Sequence, residues 1–290
     1  MEQRQVACPP QTQVWRADHD EEKRQTFSEQ DAKKLKGKEI EVNDTYTKIG
    51  YGAFKNITKV KRIVLSENIE YIGDEAFRGC TMLNTITLPE KLRRLGKGAF
   101  YNCCRLQTIT IPPKVKRIES KTFKQCRGMK AINLHDQIES IGDSAFIECE
   151  SLQEIRIPEQ CREIPFRSFC YCNGLKTVGF PKQLQRIGKE AFYRSGLTSL
   201  KLNDQLEVLE ESAFLRCLGL QEITIPKSVK QIDKWAFHGC DNLHRAVFEG
   251  DPEILGSGIF NRLNTTVVCK KGSRIDAYCR ENGFMVENIE

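Results

Sequence analysis

At 290 residues, with 39% hydrophobic side chains and 13 cysteines, the chain can bury a substantial core and does not depend on disulfide staples, so mostly reduced thiols are expected. Its 45 basic and 39 acidic side chains leave a formal charge of +6, which leans toward anionic partners but falls short of a nucleic-acid footprint. No apolar run reaches the roughly 18 residues a membrane helix needs, and the opening MEQRQVACPPQTQVWRADHDEEKRQ has no apolar signal segment, so a cytoplasmic location is expected.

Residues 1–45 show no repeat, and their Pro9, Pro10 and many Gln, Glu and Lys predict a disordered or loosely ordered polar leader. Within it, SEQDAKKLK from Ser28 to Lys36 opens with the Ser-x-x-Asp of a capping box and permits a short helix.

From Tyr46 one pattern recurs. Its marker, usually an Ala-Phe pair, places phenylalanine at Phe54, Phe77, Phe100, Phe123, Phe146, Phe169, Phe192, Phe214, Phe237 and Phe260, every 23 residues except for one step of 22 after Phe192. A fixed period of this length is the signature of a solenoid, in which one supersecondary unit stacks on the next. Aliphatics stand six, nine and eleven places after the phenylalanine, as in Leu83-Ile86-Leu88, and their closing I-x-I alternates as a half-buried strand does. The prolines that follow (Pro89, Pro112, Pro158, Pro181, Pro226) lack a donor and end the ladder. The intervening G-x-x-A-F-x-x-C spacing suits one or two helical turns. Each unit is therefore expected to run strand, turn, short helical or 3-10 segment, turn.

In the seventh unit a residue is missing at Ser195-Gly196-Leu197. The shortening is expected to fall in the turn before a strand that resumes at Leu197–Leu202. After residue 268 the pattern lapses. Ser273 with Asp276 can cap a helix bearing Ile275, Tyr278 and Cys279 on one face, and Asn282-Gly283 stops it. Residues 269–290 are thus expected to form a C-terminal cap over the open end.

The joint motif L-x-x-I-x-I-P with I-G-x-x-A-F-x-x-C, together with Lys271–Tyr278, resembles the BspA-like, Treponema-pallidum-type leucine-rich repeats over roughly residues 46–282. The fold this resemblance implies is an α/β leucine-rich-repeat solenoid over 46–268. It would be curved, with about ten units of 23 residues and a parallel β-sheet on the concave face. Family members with an assigned role are typically surface adhesins or recognition proteins.

Cys80, Cys103, Cys126, Cys149 and Cys172 form a column whose side chains point the same way, and Ile57, Ser195 and Leu263 replace them elsewhere. Packing thiols are the expectation. No second Cys or His pair sits at zinc-site spacing. His19, His135, His238 and His244 are scattered, so no nucleophile, base and orienter converge. Neither an enzyme, a metal nor a cofactor is expected.

The functional candidate is the exposed sheet face: Lys61, Arg62, Asn84, Thr85, Thr87, Thr110, Lys130, Asn133, Arg156, Lys176, Lys201, Thr224 and Arg245. Its three exposed columns hold seven Lys/Arg and two Glu over nine units. Short Thr, Asn and Gly side chains leave room for a partner backbone, and the absence of aromatics argues against single-stranded nucleic acid. The reading is a monomeric, non-enzymatic protein-binding scaffold taking a protein, with an acidic segment the best fit. The alternative is a cell-surface adhesin exported without a recognisable signal.

Overall fold

The computed structural model describes residues 25–290, and the N-terminal part of the expected leader, with Cys8 and His19, lies outside them. The chain winds into a stack of about twelve coils, most of them contributing to two columns of parallel strands. The first column contains Glu39–Val42, Arg62–Leu65, Thr85–Thr87, Thr108–Thr110, Ala131–Asn133, Glu154–Arg156, Thr177–Gly179, Glu222–Ile225, Arg245–Phe248, Thr266–Lys270 and Met285–Ile289. The second contains Gln25–Phe27, Tyr46–Ile49 and then two-residue strands such as Tyr71–Ile72 and Arg94–Leu95, ending at Ile254–Leu255. Register follows the repeat, so that Ile63 faces Ile86 and Ile109 faces Ile132. Like therefore stacks on like, and the alternating strands turn their isoleucines inward while the residues between them stay in solvent.

The third side of each coil departs from the expected helical or 3-10 segment. The stretch around each Ala-Phe pair is a run of turns, because the residues two before and two after the phenylalanine take left-handed backbone angles: Glu75 at 55° and Gly79 at 74°, Ser144 at 56° and Glu148 at 60°. A right-handed helix cannot contain such residues at every fourth position. Alternate amides point along the stack instead of around a helix: the Phe54 N–H donates to Ala76 O (2.7 Å) and the Asn56 N–H to Arg78 O (2.7 Å), while Ala53 and Lys55 close i to i−3 turns onto Gly50 and Gly52. This side is thus a third ladder of inter-coil hydrogen bonds. Where alanine gives way to Thr122 or Ser168, the buried hydroxyl bonds a turn carbonyl, Glu119 O at 2.7 Å or Pro165 O at 2.8 Å.

Inside, the phenylalanines form one file. From Phe27 to Phe260 neighbouring rings stand 4.9–5.6 Å apart with planes within 2–18° of parallel. All are buried.

The file begins earlier than expected. Gln25–Phe27 pairs with Tyr46–Ile49 and Glu39–Val42 pairs with Arg62–Leu65, so residues 25–45 belong to the stack and the boundary at 46 falls inside it. Phe27 lies 27 residues before Phe54 and follows Thr26, so it misses both the period and the Ala-Phe marker. Between these strands, Glu29–Lys34 is a helix with a reciprocal capping box: Ser28 Oγ accepts from the Asp31 N–H, and the Asp31 carboxylate accepts from the Ser28 N–H at 3.0 Å. At the other end Arg274–Asn282 is a helix capped by Ser273 and closed by Gly283 at φ 73°, with Ile275 and Cys279 buried. Beyond it Met285–Ile289 adds a further strand to Thr266–Lys270.

Because each ring touches two others, Phe146→Ala removes contacts on both sides of the file. Denaturant unfolding should show a loss of about 3–5 kcal/mol. A loss below about 1 kcal/mol would mean that the file does not carry the core.

Candidate interaction face

The first strand column presents its outward residues as rows one coil apart, roughly 4.8 Å at strand spacing. Lys61, Arg62, Asn84, Thr85, Thr87, Thr110, Lys130, Asn133, Arg156, Lys176 and Thr224 are all exposed there, and Arg245 is half-buried. Polar groups in the middle of the face support one another: Asn133 Nδ2 donates to Thr110 Oγ1 at 3.0 Å and Thr85 Oγ1 to Asn84 Oδ1 at 3.2 Å.

The basic residues divide into two classes. Arg156 is engaged by Asp136 (3.4 Å) and Glu159 (3.1 Å), and Arg245 is clamped by both carboxylate oxygens of Glu287 at 2.7 and 3.1 Å. Those bonds hold the Glu287 carboxyl below the usual carboxylate range. Among the described residues, Lys61, Arg62, Lys130, Lys176 and Lys201 have no ion-pair partner. Lys130 and Lys176 also line a groove of about 900 Å³ along the edge of the column, with Glu150 and Glu154 on its walls.

Two features of the face were not expected. Glu39 and Glu41 continue its rows at the N-terminal end, in register with Arg62 and Val64, so the face is acidic there and basic further along. The alternation E-I-E-V was the available signal, overlooked because it sits inside a charged stretch. The column is also interrupted in the shortened unit: after Thr198 donates its N–H to Lys176 O (3.1 Å), residues 199–202 form no strand. The shortening does precede this segment, but the chain no longer has the register to pair, and Lys201 is exposed off the strand. The second column runs through unbroken, with Arg186–Ile187, Val208–Leu209 and Gln231–Ile232 in succession.

The cysteine column is buried and its thiols are free. Each has a bonding role as well as a packing one. Cys80 Sγ donates to Phe54 O at 3.1 Å, Cys103 to Phe77 O at 3.2 Å and Cys126 to Phe100 O at 3.1 Å, always the carbonyl of the preceding coil's phenylalanine. Ser195 keeps a polar atom in that place, 3.3 Å from Cys217 Sγ. Leu263 is a correction, since at 88% exposure it is no member of the packed column. Among the described residues, no group of three His, Cys, Asp or Glu side chains gathers where it could hold a metal ion. His135 Nε2 lies 3.0 Å from Pro112 O in a turn, apart from His238 and His244. No described helix is long and apolar enough to cross a membrane.

The repeat, the two strand columns and the residues between them match a known pattern: the BspA type leucine rich repeat region fits residues 47–176 and 163–284. The chain belongs to the BspA-type leucine-rich repeat family. Solenoids of this family serve in general for protein–protein interaction or surface recognition and are typically non-enzymatic. No curated protein matches the chain. Among solved structures it is similar to the pneumococcal vaccine antigen PcpA, 18% identical over 87% of this chain and 79% of that one, with a TM-score of 0.54. A leucine rich cell surface protein of Faecalibacterium prausnitzii A2-165 is 22% identical over 87% and 83% of the two chains, with a TM-score of 0.41. The Treponema pallidum leucine-rich repeat protein is 20% identical over 87% and 86%, with a TM-score of 0.33. At such identity the likeness to PcpA shows the fold alone.

Burial disfavours thiolate and pushes Cys80, Cys161 and Cys279 up to about 12. An unfolded thiol ionises near pH ~8.5. With the folded value raised, the stabilisation is complete below the unfolded value and is lost as pH rises from there toward 12. Unfolding free energy measured across this window should fall by up to about 1.4 kcal/mol per pH unit for each buried thiol. The slope should be shallower in Cys80→Ala than in the parent chain; identical slopes would refute the burial argument.

Proposed function

We propose that this BspA-type solenoid is a non-enzymatic scaffold that holds an acidic, extended segment of a partner protein along the first strand column. The observation that carries this reading is the set of cations on the face, Lys61, Arg62, Lys130 and Lys176, with Lys201 beside it, that no carboxylate among the described residues pairs with. Elsewhere the surface is laced with pairs between coils, such as Arg167–Glu190 at 2.7 Å and Lys189–Glu211 at 3.0 Å. Between the free cations run Thr85, Thr87, Thr110 and Asn133, short enough for a partner's backbone to approach and bond with their hydroxyl and amide groups. The clamped Arg245 and the acidic Glu39 and Glu41 bound the basic stretch, so the segment would lie between Arg62 and Lys201. Many weak polar contacts along a rigid surface suit a solenoid that binds as a monomer.

We assign this role to the cytoplasm. The family's general use in surface recognition supports a second setting, in which the same face meets material outside the cell. Immunolabelling of intact against permeabilised cells separates them, since labelling of intact cells places the face outside.

Reversing Lys61, Arg62, Lys130 and Lys201 to Glu should abolish capture of the partner in pull-down with the full chain. Such exposed substitutions should each cost no more than about 0.5 kcal/mol in stability. Capture that survives in a folded quadruple variant would remove the sheet face as the binding surface.

A further inference from the structure

The one-residue shortening of the seventh unit does more than interrupt a strand. Beside it opens a cleft of about 870 Å³, whose lining draws cations from three successive coils: Lys176, Arg194 and Arg216, with His238 from a fourth. Two glycines form part of its floor and let the side chains lie low across it. A methyl group on Gly196 would come within 3.2 Å of Lys176 Nζ, and one on Gly239 within 2.8 Å of Arg216 Cγ.

Arg194 and Arg216 hold the same place in adjacent units, two residues after Phe192 and Phe214, so like charges sit one coil apart. Of the equivalent positions, Glu148 receives Arg127 at 2.9 Å, Asn56, Asn102 and Gln125 carry no charge, and Arg262 in the last unit lies outside the cleft lining. Among the described residues neither arginine has a carboxylate partner, nor does Lys176. Arg194 is held by the faces of Tyr171 and Tyr193, 5.8 and 5.7 Å from the ring centroids, a contact that fixes the guanidinium and leaves its N–H groups free to donate. The one carboxylate in the lining, Asp241, accepts from Asn261 Nδ2 at 2.8 Å through one of its oxygens.

Converging, unneutralised guanidinium groups on a rigid floor are the arrangement that recognises a planar or tetrahedral anion through paired N–H bonds. We infer that this cleft is a binding site for a phosphate monoester, with Arg194 and Arg216 as the bidentate donors and Lys176 as the point charge. Two arginines and a lysine offer three positive charges against the one negative charge of Asp241, which favours the phosphate dianion over a single carboxylate. The phosphate can arrive on a serine or threonine of a partner chain or on a free small molecule. The site is independent of the sheet-face reading, although Lys176 borders both surfaces.

Calorimetric titration of the full chain tests this with four probes: the peptide Gly-Gly-phosphoserine-Gly-Gly, its unphosphorylated form, its glutamate form and inorganic phosphate. The phosphopeptide should bind, the unphosphorylated peptide should not, and the glutamate peptide should bind at least about tenfold more weakly. A phosphopeptide tighter than inorganic phosphate identifies a phosphoprotein as the source; equal affinities identify a free phosphate ester. Arg194→Gln with Arg216→Gln should weaken the phosphopeptide about tenfold or more, and Lys176→Gln provides a second, single-site reading should the double variant fold poorly. The Lys61, Arg62, Lys130 and Lys201 reversal should leave phosphate binding intact, so loss of one activity is separable from loss of the other. The inference is overturned if no phosphorylated probe binds, if the glutamate peptide binds equally well, or if folded Arg194, Arg216 and Lys176 variants bind as the parent does.

Discussion

The structure depends on the requirement that each coil lie in register on the one before it. Three ladders of backbone hydrogen bonds run along the stack, two made by strands and one by turns, and none tolerates a slip without orphaning buried amides and carbonyls. The phenylalanine file is the side-chain expression of the same constraint, since rings 4.9–5.6 Å apart and nearly parallel can pack only if every coil delivers its ring to the same place. The 23-residue period follows from this. So does the choice of cysteine three residues after the ring. That position must fill a small buried space and also offer a donor to the preceding phenylalanine carbonyl, which already accepts the turn's own N–H, as Phe54 O does from Ile57. A thiol satisfies both demands and a valine only the first.

The repeat, the first strand column and the buried phenylalanines were legible because they impose a letter at a fixed interval. What escaped is what physics leaves unlettered. The turn side could pass for helix because A-F-x-x-C spacing fits either, and the left-handed residues that exclude a helix are side-chain-bearing ones such as Glu75, Gln125, Glu148 and Arg167 more often than glycine. In these positions the inter-coil bonds override local preference at a cost of roughly 1 kcal/mol each. The first coil was hidden because Phe27 stands off the period, and because Glu39 and Glu41 gave a strand the composition of a solvated leader.

On the candidate face, alternation alone identified the outward positions; the strand residues among them lie in solvent or half-buried, and Lys201 falls where no strand forms. Alternation could not tell a free cation from an engaged one. The partner of Arg245 comes from a strand 42 residues further on, added by the cap, and the first partner of Arg156 is Asp136 in the turn of the preceding coil. Charge availability is thus a property of the stack. It appears only once the coils are superposed and the pairs between them have been made.

The same logic explains where a solenoid acquires individuality. Identical coils give rows, and rows give a surface whose chemistry changes little from one coil to the next. A departure from the period acts locally: the missing residue near Ser195 leaves the second column and the phenylalanine file undisturbed, with Phe192 and Phe214 still 5.2 Å apart, while the first column loses a rung. The core changes little, with Ser195 buried in the cysteine column and Leu200 only partly covered, and the surface beside it carries a cleft lined by cations of neighbouring coils. In an architecture this strictly repeated, a one-residue deletion is therefore the least disruptive way to make one place on the molecule chemically unlike the rest.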